Sequence, residues 1–274
     1  MDRILTIQDI SCVGQCSLTV ALPVISAFGV ETCVLPSAVL STHTGGFSGF
    51  TCHDLTDDFP EIKRHWKKEN ILFDGFYTGY IANAKQIDYI FEIVDELSAN
   101  GAKLIVDPAM ADFGKMYRGF DKEFVKEMAR LVKKADYALP NITECAFLTN
   151  NEYKETDHTD EYVERLICGL KELGAKNVVL KGVRRGDKIG VATYDGNGTK
   201  YFSHERIDGN MHGTGDVYAS CFVGCIAIGM SVDEAAEHAA NLTLSAIKKT
   251  VPVKNHKYGV LFEKIIPEIT ALIK

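Results

Sequence analysis

Apolar residues fall along this chain in two rhythms that alternate. RILTIQDI, ETCVLPSAVLS, FDGFYTGYI, AKLIVDPAM, YALPN and NVVLKG are short apolar runs that stop at polar or glycine residues, as strands buried in a sheet do. Between them, SLTVALPVISAFG, KQIDYIFEIVDELSANG, EFVKEMARLVKKA and DEYVERLICGLKELGA space their apolar residues for a helix face. The first two are predicted to end at Gly29 and Gly101. IKRHWKKEN and ITECAFLTN read as further helical segments. Strand and helix taking turns imply a mostly parallel sheet with helices on both sides.

Other stretches break the alternation. GVATYDGNGTKYFSHERI reads as two strands across a DGNG turn, hence a hairpin. THTGGFSGFTCHDLTDDFP (42–60) reads as a loop with a short strand at the sheet edge, the kind of segment that binds ligands. The last third supplies a helix after Asp216, the SVDEAAEHAANLTLSAIKKT helix and a terminal EKIIPEITALIK segment. With no internal repeat, low-complexity tract or linker, one α/β domain over 1–274 is expected.

Composition narrows the partners. The 274 residues are 46% hydrophobic, enough to fill a substantial core, and the formal charge of −7 with scattered Lys and Arg argues against nucleic acid or an anionic membrane as partner. Val217–Met230 carries no charge but is too short for a bilayer and reads as a core helix. Eight cysteines sit mostly in apolar runs, with no CxxC pair and no secretion signal in MDRILTIQDIS. Reduced, buried thiols in a cytoplasmic protein are expected. Cys12/Cys16 and Cys221/Cys225 are each spaced to share a helix face, and no histidine pattern completes a metal site around either pair.

The candidate chemistry gathers at strand ends, where open α/β sheets keep their ligands: VDPAMAD (106–112), PNITE (140–144), LKG (180–182) and HGTGD (212–216). Gly213 and Gly215 let the backbone turn tightly and present successive N–H groups at a helix start, an anion hole that needs no lysine. Asp216 beside it has the chemistry to take a proton from an alcohol attacking phosphorus. The same four residues also read as a turn with an Asp cap. Walker-A and Rossmann glycine patterns are absent. Asp107, Asn141 and Glu144 suit a magnesium ion held through water, and Asn141 with Glu144 equally reads as a helix cap with a first-turn acid.

With these motifs placed, the chain resembles the ribokinase superfamily in its pyridoxal kinase branch, with hydroxymethylpyrimidine kinases close by. GTGD (213–216) is the most specific match, supported by TIQDIS (6–11), STHTGG (41–46), TGYI (78–81), VDPAMAD and PNITE. The resemblance implies a ribokinase-like three-layer sandwich with a mostly parallel central sheet and a small flap rather than a separate lid domain. It implies transfer of the ATP γ-phosphate to the 5′-hydroxymethyl group of pyridoxal, pyridoxine or pyridoxamine, with Mg²⁺, a monovalent cation such as K⁺ as an option, and a homodimer. Asp216 is then the base, Gly213, Thr214 and Gly215 the anion hole, and Asp107, Asn141, Glu144 and Lys181 the ATP and phosphate contacts. Asp107 and Glu144 serve the metal. Asp112 and Tyr117 belong to a flap over 111–120, and Asp9, Ser11, Thr44 and Tyr80, with His43 beside Thr44, face the vitamer.

Alone, His43 also reads as a satisfied loop histidine and Tyr80 as a core tyrosine. QDIS stands where pyridoxal kinases often carry QSH, so Asp9 replaces a serine, and Asp9 with Ser11 resembles the hydroxymethylpyrimidine kinases. Hydroxymethylpyrimidine or phosphomethylpyrimidine kinase is therefore the alternative, and a non-catalytic small-molecule binder the reading from another class. Arg184 and Arg185 read equally as nucleotide contacts or solvated charge.

Overall fold

The structure, a computed structural model, describes residues 1–207, 211–254, 256 and 258–273. In chain order the elements are β1 (Arg3–Ser11), α1 (Leu18–Ala27), β2 (Glu31–Leu40), β3 (Cys52–Asp54), α2 (Phe59–Lys68), β4 (Phe73–Thr78), α3 (Ala84–Leu97) and β5 (Ser98–Val106). There follow β6 (Ala111–Asp112), β7 (Lys115–Met116), α4 (Lys122–Lys134), β8 (Tyr137–Ala138), α5 (Ile142–Leu148), α6 (Asp160–Leu173) and β9 (Asn177–Arg185). The last are β10 (Lys188–Tyr194), β11 (Thr199–Glu205), α7 (Thr214–Ala227), α8 (Val232–Thr250) and α9 (Ile266–Ala271). The fold class is a three-layer α/β sandwich with a mostly parallel sheet flanked by helices. Two compact units make it up, Met1–Ala102 with Ile207–Lys274, and Lys103–Arg206.

In the first unit the strands run β4-β1-β2-β3, with β1 parallel to both β4 and β2 and β3 antiparallel on β2. Ile4 to Gln8 of β1 are buried without alternation, so side chains on both faces are covered. The register against β2 shifts between Gln8 and Ile10, beside Pro36, where a missing N–H is tolerated. Helix α1 packs on β1, β2 and α7, and α7 packs on α8. Val217–Ala227 of α7 are all buried, the core helix expected from its charge-free run. No helix among the described residues is long and apolar enough to cross a membrane.

In the second unit β5, β8 and β9 are parallel, then β10 and β11 run antiparallel across the Asp195–Gly198 turn. That is the expected hairpin, and the edge strand expected within 42–60 is β3. Caps set the helix starts: Asp121 accepts the N–H groups of Glu123 and Phe124, and Thr159 that of Tyr162. Gly174 ends α6 with a left-handed φ of 113°.

Several boundaries differ from expectation. Helix α3 stops at Leu97 rather than Gly101, because Ser98–Val106 is already strand. Strand β9 runs on to Arg185, since its last residues pair with β10. Cys12 and Cys16 precede α1 and share no helix face, whereas Cys221 and Cys225 lie buried in α7. Of the eight thiols, all free, only Cys145, Cys221 and Cys225 are buried, while Cys12, Cys52 and Cys168 are exposed.

Gly224 marks where α7 and α1 come closest. A Cβ there would lie 2.6 Å from Cγ of the buried Phe28, so the whole ring would have to move. Gly224→Ala is expected to lower stability by about 1–3 kcal/mol from overpacking, less the ~1 kcal/mol alanine gains in a helix. Thermal denaturation with an unchanged or raised Tm would contradict this packing.

Candidate active site

The first unit carries the GTGD turn. Gly213 is the N-cap of α7 with φ 76°, and a Cβ on it would collide with the Gln15 carbonyl oxygen. Only glycine fits both constraints. Around Gly215 the opposite holds: among the described residues, beyond its chain neighbours and its own helix, no atom lies within 4 Å of where its Cβ would be. The first intrahelical bond is Val217 N–H to Gly213 O at 3.0 Å, and no side chain caps the helix. The N–H groups of Thr214, Gly215 and Asp216 therefore sit in the first turn with the positive end of the helix dipole, suited to an anion. Thr214 Oγ1 reaches back to the Met211 carbonyl at 3.4 Å.

Asp216 lies in the same turn, and burial with the nearby charges of Asp216 and Asp9 pushes the half-buried Cys16 thiol up. Asp9, at the end of β1, is buried and accepts a hydrogen bond from Ser11 Oγ at 2.9 Å, and the Ser17 hydroxyl also acts on its charge. Burial pushes its carboxyl above the ordinary range against the pull of those two hydroxyls. Tyr80 follows β4 near Asp9, and its phenol is pushed up to about 12 by burial and by the charges of Asp9, Cys52 and Asp54. Asp9, Ser11 and Tyr80 are thus brought together, whereas Thr44 is exposed in the loop after β2.

His43 in that loop is buried, and its Nε2 has no hydrogen-bond partner. Its ring lies edge-on to Phe47 with centroids 4.9 Å apart and 5.1 Å from the ring of His212. Burial, then the neighbouring His212, lowers its basicity. Phe47 in turn stacks on Tyr258 at 6.0 Å. These rings form an aromatic wall with one orphaned buried nitrogen, a fit for a planar ligand with a polar edge.

The second unit holds the other motifs. Lys181 on β9 forms an ion pair with Asp107, which follows β5, and both are largely buried. Asn141 caps α5, its Oδ1 accepting Glu144 N–H at 2.9 Å while Glu144 Oε2 accepts Asn141 N–H at 2.8 Å. This is the reciprocal capping box that the sequence allowed as an alternative to a ligand site. The same residues reach further. Asn141 Nδ2 donates to Ala111 O at 2.7 Å, Glu144 Oε1 accepts Met110 N–H at 3.0 Å, and Thr143 Oγ1 accepts Gly114 N–H at 3.1 Å. The start of α5 therefore pins the root of the 111–120 segment.

That segment is a small hairpin, β6 against β7, turning through Phe113 and Gly114 at φ 49° and 72°. Asp112 Oδ1 accepts Phe113 N–H at 2.9 Å, and Tyr117 is partly exposed beyond β7. The Arg184 guanidinium lies 5.8 Å from the Phe113 ring centre. Arg185 instead pairs with Asp160 at 2.6 Å and covers Tyr201.

Asp107 and Glu144 supply hard oxygen donors, and the charge of Asp107 acts on Glu144. Each Glu144 oxygen already accepts a backbone N–H and Asp107 holds Lys181, so the pair suits a magnesium ion that keeps its water shell rather than direct ligation. No group of three or more His, Cys, Asp or Glu among the described residues could hold a metal. Sequence reasoning gave His212 no role of its own within HGTGD, although its place beside GTGD carried a signal.

A sheet flanked by helices, with an open helix start beside a carboxylate, defines a small-molecule kinase of the ribokinase superfamily, related to both pyridoxal kinases and hydroxymethylpyrimidine/phosphomethylpyrimidine kinases. The chain belongs to the phosphomethylpyrimidine kinase family, whose model matches residues 21–261. It is 28% identical to the hydroxymethylpyrimidine/phosphomethylpyrimidine kinase of Bacillus subtilis, over 79% of this chain and 78% of that one. Among solved structures it resembles pyridoxal kinase from Lactobacillus plantarum at 31% identity and TM-score 0.92, covering 99% and 98% of the two chains. A Bacteroides thetaiotaomicron protein crystallised with pyridoxal is similar at 33% identity and TM-score 0.91, covering 98% and 95%.

Glu144 has a consequence for stability. Complete burial, then Asp107, raises its carboxyl to about 8 against the pull of Lys181 and two backbone N–H groups. An acid whose folded value exceeds its unfolded one binds more protons when folded, so stability falls as pH rises between the two values. Glu144→Gln cannot ionise. The melting temperature of this variant is expected to gain on wild type from about pH 5 to pH 8, and parallel curves would show that Glu144 does not titrate there.

Proposed function

We propose that this chain transfers the γ-phosphate of ATP to the hydroxymethyl group of a small aza-aromatic ring, with a hydroxymethylpyrimidine as the acceptor. The observation that carries the transfer is Asp216 in the first turn of α7, beside N–H groups that the N-cap side chain leaves uncapped. Gly213, Thr214 and Gly215 hold the transferring phosphate. As the acceptor oxygen bonds to phosphorus its O–H proton passes to Asp216, and the bond to the β–γ bridging oxygen breaks with ADP as leaving group. A carboxylate suffices because proton loss accompanies bond formation.

Asp9, Ser11, Tyr80 and Thr44 take the ring's polar groups, while His43 and Phe47 supply its aromatic wall. Asp107, Asn141, Glu144 and Lys181 serve the ATP phosphates, and Asp112 and Tyr117 line the flap. Mg²⁺, when bound through Asp107 and Glu144, neutralises phosphate charge. The sequence alone put a B6 vitamer first. The family match supports the pyrimidine better. A B6 vitamer stays as the second reading because the Bacteroides thetaiotaomicron relative was crystallised with pyridoxal.

Initial-rate kcat/KM values with ATP, Mg²⁺ and hydroxymethylpyrimidine, pyridoxal, pyridoxine or pyridoxamine in separate reactions decide the acceptor. The pyrimidine is expected to lead, and a preferred B6 vitamer would reverse the order while leaving the Asp216 chemistry in place. Asp216→Asn should retain ATP binding and lose about 10²-fold or more in phosphoryl transfer. A rate within about twofold of wild type, when chemistry limits turnover, would remove Asp216 as the base.

A further inference from the structure

The loop around Tyr258 joins the GTGD turn to the aromatic wall of the first unit. The Tyr258 carbonyl accepts the Gln15 N–H at 2.6 Å, and Gln15 sets its own carbonyl against Gly213. One residue on, a Cβ at Gly259 would lie 3.0 Å from the Gln15 carbonyl oxygen and 3.2 Å from that of His212. Val260 is fully buried, and its N–H reaches the His212 carbonyl at 3.2 Å. None of these ties uses the Tyr258 side chain. Its ring stacks on Phe47 with planes 14° apart and centroids 6.0 Å apart, and His256 meets it edge-on at 5.8 Å. Phe47 in turn lies edge-on to His43 at 4.9 Å. Tyr258 nonetheless stays 44% exposed, at the end of a row of rings that leads to the buried His43, whose Nε2 has no hydrogen-bond partner among the described residues. A stack built only for packing would be covered and a buried ring nitrogen bonded, so the two together point to a planar ligand with a polar edge.

We propose that Tyr258 is a positioning residue for the acceptor: its ring holds Phe47 against His43, so that the wall offers the acceptor ring a preset flat face. The inference rests on this wall being the acceptor site. Two tasks divide between the backbone and the side chain of one residue. The carbonyl registers the loop on the GTGD turn, and any residue at 258 supplies that carbonyl. The ring supports Phe47, and only a flat aromatic side chain stacks on it. Phe47 lies among Gly45, Gly46 and Gly49, which have no side chains to brace it, so an outside ring is what keeps its face in one orientation. Loss of the Tyr258 ring therefore loosens the wall, while the first turn of α7 keeps its N–H groups and Asp216.

The test is steady-state kinetics, with the best acceptor from the assay above, for wild type, Tyr258→Ala, Tyr258→Leu, Tyr258→Phe and Phe47→Ala. Tyr258→Ala should raise the KM of the acceptor about 3- to 10-fold, with kcat and the KM of ATP changed less than about twofold. Tyr258→Leu, which restores bulk without a flat face, should behave like the alanine variant. Tyr258→Phe restores the stack and should stay within about twofold of wild type. Partial unfolding lowers the active fraction, and with it kcat, without raising one KM selectively, so this split separates positioning from stability. If Tyr258→Ala does not fold, Tyr258→Leu replaces it. A leucine variant indistinguishable from wild type, a phenylalanine variant as impaired as alanine, or an equal rise in the KM of ATP overturns the proposal. Phe47→Ala separates the two layers. A raised acceptor KM there beside an unaltered one in Tyr258→Ala removes only the role of Tyr258, whereas an unaltered acceptor KM in both variants removes the wall as the acceptor site.

Discussion

The first unit's site depends on one contact with no room for a side chain. The Gln15 carbonyl lies against Gly213, and that closeness fixes where α7 begins, which N–H groups its first turn presents and which way Asp216 points. Any larger residue at 213 would push Gln15, and the Cys16 sulfur beside it, off the helix. The left-handed φ of Gly213 adds a second reason for glycine at the same atom.

Two different solutions meet the buried carboxylates Asp9, Asp107 and Glu144 of this chain. In the first unit Asp9 is met by a neutral donor, the hydroxyl of Ser11. In the second, Asp107 meets the full charge of Lys181, and Glu144 is held by backbone N–H groups. Neutral donors orient a carboxylate without cancelling its charge, which leaves it able to take up a proton. An ion pair cancels the charge of both partners, so Asp107 and Lys181 neutralise each other where both are largely buried.

Much of this was legible in the sequence, and for identifiable reasons. The alternation of apolar runs announced the parallel strands because they are buried on both faces, and the DGNG turn announced β10 and β11. GTGD was legible because its chemistry lies within one turn. The start of α5 was legible only in part: the capping box is local, but its bonds to Met110, Ala111 and Gly114 join residues about thirty positions apart, which no spacing rule reveals. The early end of α3 was missed because Ser98–Gly101 looks like a helix terminus while its backbone is already paired as strand.

The pinned flap has a thermodynamic corollary. Its root is bonded to α5, its two short strands are bonded to each other, Tyr117 N–H reaches the Met110 carbonyl at 2.8 Å, and Phe120 stacks on Phe124 of α4 with centroids 4.1 Å apart. Little backbone between those ties is left to be ordered. A loop that must freeze on binding subtracts roughly 1–2 kcal/mol per residue from affinity, and here most of that loss was taken when the chain folded. The hairpin therefore presents a surface whose shape is already set by its own bonds.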